Sequence, residues 1–381
     1  MGMESFVETL KDRFGKISEL DVVSQFGDCY MDGILGWQYP PEVIRRSDRE
    51  GRLLTMDLDI PCACQLNCNY CFAKEDAYYR PQEGDNPLSL DRIKTLLREA
   101  KSLGLQSVKI VGFGEPFENP EIFDFISFAS SEDIHLVIFT AAYTLGEETF
   151  DGSRDRVLDF LYQHRVSLMV KYHTLDHERE ERIVRSKGYP KKRDVILQSL
   201  LDHGGFNSQS PTRLGLENVI ATQSVEELAA IYLYFKIFRN VHTDIDPPIP
   251  VGRTATKEQW ERIGLEEDEL FRLYQTIHSI NRRHRLPFLG LSPFVGNAPC
   301  SQLPNGLYLT LSGKIVSCCG GNEQYGDVNE GDSIRDAFYR NPYRLGPESQ
   351  EMYHSCPYRE KAGILTRSFL ERVLKSLPAS G

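Results

Sequence analysis

Apolar and polar positions follow two periods along this chain, and the two take turns. Dense apolar runs rich in β-branched and aromatic residues fall at 53–60, 107–113, 134–140, 166–172, 214–221 and 241–247. Between them, at 90–104, 119–130, 151–164, 192–203 and 225–239, apolar residues recur three and four apart, as at Ile93, Leu96, Leu97 and Ala100. The first set predicts strands and the second helices. A strand followed by a covering helix brings the chain back to start a parallel neighbour. The six runs therefore predict an α/β fold, a partial (β/α)6 TIM-like barrel.

Past residue 299 the rhythm changes. The stretch 306–319, GLYLTLSGKIVSCC, reads as two short strands about a Ser-Gly turn, and helical spacing returns at 333–340 and 364–377. The expected division is an N-terminal helical or irregular extension at 1–50, the barrel at 51–255, a helical connector at 256–298 and a small C-terminal β-hairpin/helix unit at 299–381. There is no internal repeat and no long Gly/Ser or Pro-rich linker.

Composition narrows the function classes. With 55 acidic against 44 basic residues the net charge is −11, and no basic stripe is visible, which argues against a nucleic-acid partner. No run approaches the roughly 18 apolar residues of a membrane span. The first twenty residues carry acids and amphipathic spacing, unlike a signal or transit peptide, so a cytoplasmic location is expected. In that reducing setting the nine cysteines are not a disulfide framework. Cys29 stands alone. Cys62, Cys64, Cys68 and Cys71 lie within ten residues, and Cys300, Cys318, Cys319 and Cys356 lie in the C-terminal quarter, so two separate metal centres are expected.

The early group follows the first strand, on the face where barrels of this kind place their chemistry. Cys64, Cys68 and Cys71 are spaced to hold three irons of a [4Fe–4S] cluster and leave the fourth open. The other reading is a structural zinc with Cys62 as fourth ligand. The tight Cys62-Ala-Cys64 spacing and the lack of two separated Cys pairs weigh for the cluster. The second strand ends in Gly112-Phe113-Gly114-Glu115-Pro116, where glycines let the backbone approach a ligand closely. Its carbonyls and the Glu115 carboxylate could accept hydrogen bonds from an ammonium. A dinucleotide loop is excluded because the third glycine of its fingerprint is missing.

Taken together, CxxxCxφC with Tyr70 at the aromatic position and Phe72 just after, and the glycine segment ending in Glu115-Pro116, resemble the motifs of the radical S-adenosylmethionine superfamily. The glycine segment departs from that family's GGEP in having Phe113 between its glycines. The resemblance implies a [4Fe–4S] cluster whose open iron chelates S-adenosylmethionine, with Gly112, Phe113, Gly114, Glu115 and Pro116 about the methionine amino group. One electron from a flavodoxin or ferredoxin would then cleave the sulfonium to methionine and a 5′-deoxyadenosyl radical, which removes hydrogen from substrate. Thr140, Lys171 and His173, at the ends of the third and fourth strands, are further candidates to contact the cofactor. Glu217 and Asn218 in the fifth run and Asp244 and Asp246 in the sixth are charged or polar inside apolar strands. They are read as inward-facing groups or as ordinary ion pairs between strands.

In the late group, Cys300 is followed by twelve residues, Gly313, four residues and Cys318. This resembles the SPASM or twitch auxiliary-cluster domains of some radical S-adenosylmethionine enzymes, and 249–253, Ile-Pro-Val-Gly-Arg, resembles their P-x-GR segment. The implied second [4Fe–4S] cluster would be held by Cys300, Cys318 and Cys356. Neighbours along a strand point in opposite directions, so Cys319 is an alternative fourth ligand or a hydrogen-atom donor. Arg359 stands where a twitch domain would carry a further Cys. The leading expectation is an enzyme that oxidises, epimerises or rearranges a small polar metabolite, with Cys319 and Glu217 as its candidate catalytic residues. The alternatives are a peptide or protein maturase, disfavoured because the stretch before residue 53 is short for a leader-binding domain of roughly 80 residues, and a non-catalytic metal scaffold. RNA modification is disfavoured by the charge.

Overall fold

The computed structural model describes residues 2–17, 22–74, 87–145, 154–262, 264–286, 295, 300, 302–344 and 355–377. Six strands, β1 (Thr55–Asp59), β2 (Ser107–Gly112), β3 (His135–Thr140), β4 (Ser167–Lys171), β5 (Leu214–Val219) and β6 (His242–Asp246), pair in parallel in chain order. They lie within one or two residues of the expected runs. The C-terminal hairpin, β7 (Gly306–Leu309) and β8 (Lys314–Val316), extends this same sheet. β7 pairs in parallel with β1, and β9 (Gln324–Asp327) closes the far edge against β8. The result is an open nine-stranded sheet ordered β6-β5-β4-β3-β2-β1-β7-β8-β9.

Alternation along each strand sorts its side chains onto two faces. Leu58, Ile110, Ile138, Leu168 and Leu216 face the outer helices in one continuous core. The helix Leu90–Ser102 shows how such a helix is specified. Ser89 caps it by accepting from the Arg92 N–H, and Ile93, Leu96, Leu97 and Ala100 make its buried face. The helices Ile122–Ser131, Arg154–Gln163 and Tyr189–His203 also fall where the spacing predicts them. Residues 151–153 of the expected third helix, and 263, 287–294 and 296–298 of the connector, lie outside the described residues. The 225–239 interval is helical only as Val225–Tyr232, and a π-helical turn, Leu233–Phe238, follows.

The opposite, concave face is where the chain departs from an apolar barrel interior. Part of it is filled by the N-terminal extension. Ile34 bridges Thr212, the Leu35 N–H donates to the Thr212 carbonyl at 2.8 Å, and the Ser167 hydroxyl donates to the Leu35 carbonyl at 2.9 Å. Ile34 packs there on Val137, Phe139 and Met169, with Trp37 beside them. The rest of the face carries charge: Asp57, Lys109, Lys171, Glu217 and Asp246.

Candidate active site

The loop after β1 bends back over the concave face, and its thiols ring a cavity of about 290 Å³. Cys64, Cys68 and Cys71 all line it, with Tyr70, Phe72 and Gly112. Each neighbour holds the loop by its backbone. The Asn67 and Asn69 N–H groups donate to the carbonyls of Val184 and Ile183 at 3.0 and 2.9 Å, and the Glu115 N–H donates to the Ala63 carbonyl at 2.7 Å. The helix that supplies Ile183 and Val184, His177–Val184, is one the periodicity did not predict. Its eight residues are mostly charged, and its cap is Asp176, which accepts from the N–H groups of Glu178 and Arg179.

Burial pushes the Cys64 and Cys68 thiols up, to about 11 and about 12, and the charges of Cys64 and Cys71 add to the shift at Cys68. Tyr70 hydrogen-bonds Cys68. Cys62 lines the same cavity and also packs on the outer core, its thiol donating to the Ile60 carbonyl at 3.4 Å, and burial pushes it up, with Glu115, Asp59 and Cys64 adding to the shift. Among the described residues no three His, Cys, Asp or Glu side chains converge on a single ion-sized point.

The glycine segment forms the adjoining wall. Phe113 takes a left-handed conformation at φ 69°, which aims the chain back at the loop. A Cβ on Gly112 would stand 2.7 Å from the Phe72 ring, and one on Gly114 would stand 2.6 Å from the Ala63 carbonyl. The backbone cradle exists only because neither residue has a side chain. Glu115 is buried, and burial pushes it up to about 7. Both its oxygens are engaged: the Thr140 hydroxyl donates to one at 2.5 Å and the Ala141 N–H to the other at 2.7 Å. Glu115 and Thr140 thus line the cavity as a pair, the carboxylate fixing the turn after β3. Pro116 starts a short 3₁₀ turn behind the wall, and it does not line the cavity.

His173 lies elsewhere. It is fully buried and off the cavity, its Nδ1 2.7 Å from Glu180, its ring 4.9 Å from that of Tyr70. It lies two residues past the end of β4, where the chain has left the strand. Alternation along β5 turns Asn218 away from the face that presents Glu217, and it donates to the His173 carbonyl at 3.2 Å. Asp244 is buried 3.0 Å from His242, outside both cavities described here.

The late cysteines meet at a second cavity of about 130 Å³, which Cys300, Cys318, Cys319 and Cys356 all line. Burial pushes Cys318 up, and Cys319, Cys356 and Cys300 add to it. After burial, the charges that act most on Cys319 are Asp57, Arg359 and Glu217, with Cys356 after them, and it packs with Phe72 and Val111. Cys318 and Cys319 both lie past the end of β8. Cys29 is exposed.

The two cavities share a wall made by Phe72, Val111, Phe139, Glu217, Asp246, Ile249 and Arg359. Charges on it and beside it are paired. Lys171 lies 2.7 Å from Glu217, and Lys109 lies 2.9 Å from Asp57 and donates to Gln302 at 2.7 Å. Arg359 is buried beside Asp246 and donates to the Pro247 carbonyl at 2.8 Å. Burial pushes Asp246 up, Arg359 opposes this, and its Oδ1 has no hydrogen-bond partner among the described residues. Asp57, Lys109 and Arg359 escaped the sequence reading. The first two carry the signal that singled out Glu217, a charge within an apolar strand, and Arg359 registers in the sequence only as a missing cysteine.

Residues 59–216 match the model of the Radical SAM superfamily. Among solved structures, SuiB of Streptococcus suis bound to the precursor peptide SuiA is 16% identical, over 91% of this chain and 83% of that one, with a TM-score of 0.57. SuiB bound to S-adenosylmethionine is 17% identical over 81% and 70%, with a TM-score of 0.55. At this identity the likeness is one of fold. No curated protein matches the chain.

Proposed function

The chain belongs to the radical SAM superfamily through residues 59–216, and from that premise we propose that it is an enzyme converting a small polar metabolite held between two iron–sulfur centres. The observation that carries this is the shared wall, where Glu217, Asp246 and Arg359 stand between two groups of thiols. Cys64, Cys68 and Cys71 would hold the first [4Fe–4S] cluster, and Cys300, Cys318 and Cys356 the second. When bound, the first cluster and S-adenosylmethionine supply reductive cleavage to the 5′-deoxyadenosyl radical, with a flavodoxin or ferredoxin as electron donor.

The chain's own residues do the rest. The Gly112–Gly114 backbone gives the cofactor's methionine end a close approach, and Glu115 holds the Thr140–Ala141 turn against it. Phe72, Val111 and Phe139 keep water from the passage between the cavities. Asp246, Glu217 and Arg359 offer a substrate both charge signs within a buried space. Cys319 lines the second cavity and packs with Phe72 and Val111. We assign it as the thiol that gives a hydrogen atom to a substrate radical, its sulfur radical then taking one electron and one proton at the expense of the same class of reductant. That outcome is redox-neutral. An electron passed instead to the second cluster makes the outcome an oxidation.

A peptide substrate is the second reading, because SuiB, whose fold this chain shares, is a protein that binds a precursor peptide. A non-catalytic scaffold would have no use for the glycine cradle, and an RNA substrate fits poorly with a net charge of −11. Iron counting tests the two-centre reading. The Cys64/Cys68/Cys71→Ala triple variant, reconstituted anaerobically, is expected to keep about four irons, the content of one cluster. An iron-free triple variant would remove the second centre.

A further inference from the structure

Immediately after β6 the chain runs past both cavities and lies against the cysteine loop. Ile249 and Pro250 line the second cavity, and Val251 packs with Tyr308 and Val316. Gly252, at φ 59°, comes so close to the loop that a Cβ there would lie 2.4 Å from the Phe72 carbonyl and 2.8 Å from that of Cys71. Arg253 then makes three bonds to the loop. Its backbone N–H donates to the Cys71 carbonyl at 3.3 Å, and its Nη1 donates to the carbonyls of Asn67 and Cys68 at 2.8 and 2.7 Å.

We propose that Arg253 is a positioning residue of the first iron–sulfur centre: it pins the loop that carries the thiols and favours the centre's reduced form. The inference rests on the cluster reading of Cys64, Cys68 and Cys71. The loop has few bonds of its own, apart from the Cys71 N–H donating to the Cys68 carbonyl at 3.3 Å. Its shape is therefore imposed by neighbours, and Arg253 engages the carbonyls of both Cys68 and Cys71. The electrostatic part follows from sign. Reduction adds a negative charge to a centre already ringed by thiolates, and a fixed positive charge bonded at a ligand's own carbonyl lowers the cost of that charge. The same bonds draw the carbonyl dipoles toward the guanidinium and away from the metal side. Arg253 is only half-buried, so its replacement opens no hole in either core.

The test uses full-length reconstituted wild-type, Arg253→Gln and Arg253→Lys proteins, with iron content and the midpoint potential of the first centre read by redox titration with EPR. Arg253→Gln is expected to move the midpoint to a more negative potential and to slow dithionite-driven cleavage of S-adenosylmethionine about tenfold, as lost outer-shell contacts do. Arg253→Lys, which keeps the charge and can still donate, is expected to restore most of both. A Gln variant that loses its iron while the Lys variant keeps it would also support the pinning role. Gln and Lys variants with the wild-type midpoint and iron content would overturn the inference and leave the cluster reading standing. Zinc in the wild-type loop would sink both.

Discussion

At the scale of single residues, the site is held by groups that never touch it. Glu180 shows this best. Burial alone would raise its carboxyl, but His173 and Arg193 outweigh burial and hold it at about 2, against an ordinary value of 4.5. A folded-state value below the unfolded one adds stability that is complete above about pH 4.5 and drains away as the pH falls toward 2. Glu180→Gln is therefore expected to cost about 3 kcal/mol at neutral pH, with the deficit shrinking in acid, as read by urea unfolding between pH 7 and 3. A deficit that stays constant with pH would mean the carboxylate charge is not what matters. Cys319 and Cys318 make a second contrast. Adjacent on the chain, they are expected to part in iron analysis: Cys319→Ala keeps the wild-type iron content, whereas Cys318→Ala loses iron from the second centre. Equal losses would place Cys319 among the ligands.

At the scale of elements, strands were legible and their polar punctuation less so. Parallel strands buried on both faces must be apolar nearly throughout, so the six runs stand out of the sequence unaided. The helix His177–Val184, HEREERIV, offers almost no apolar period, and only its Asp176 cap marks it. β9, Gln-Tyr-Gly-Asp, is too short and polar to be read as a strand, and exists because β8 presents an edge to it. The hairpin was legible through its turn. Gly313 sits at φ 87°, and a Cβ there would lie 2.6 Å from the Asn329 amide. Gly313→Ala is expected to lower stability by about 1–2 kcal/mol in thermal or urea unfolding and to reduce iron at the second centre, since β8 leads directly into Cys318. Unchanged stability would show that the turn adapts.

At the scale of the whole molecule, the sequence announced two groups of cysteines but not that they would share a wall. Sequence distance hides this: Cys71 and Cys300 are brought to neighbouring cavities by one sheet, because β7 pairs with β1. The N-terminal extension was equally opaque. Its placement on the concave face depends on Ile34 and Trp37 finding a gap left by an open barrel, which no local pattern encodes. Among the described residues no helix is long and apolar enough to cross a membrane. What the molecule does assemble is a buried, charge-matched space flanked by thiols, reached through a loop whose glycine-rich neighbour excludes side chains. The most direct test of that account is a product assay. Anaerobically reconstituted protein given dithionite and S-adenosylmethionine should form 5′-deoxyadenosine and methionine, and Cys68→Ala should form neither. An iron-loaded wild type that leaves S-adenosylmethionine intact, or a Cys68→Ala variant that cleaves it as well as wild type, would contradict the account.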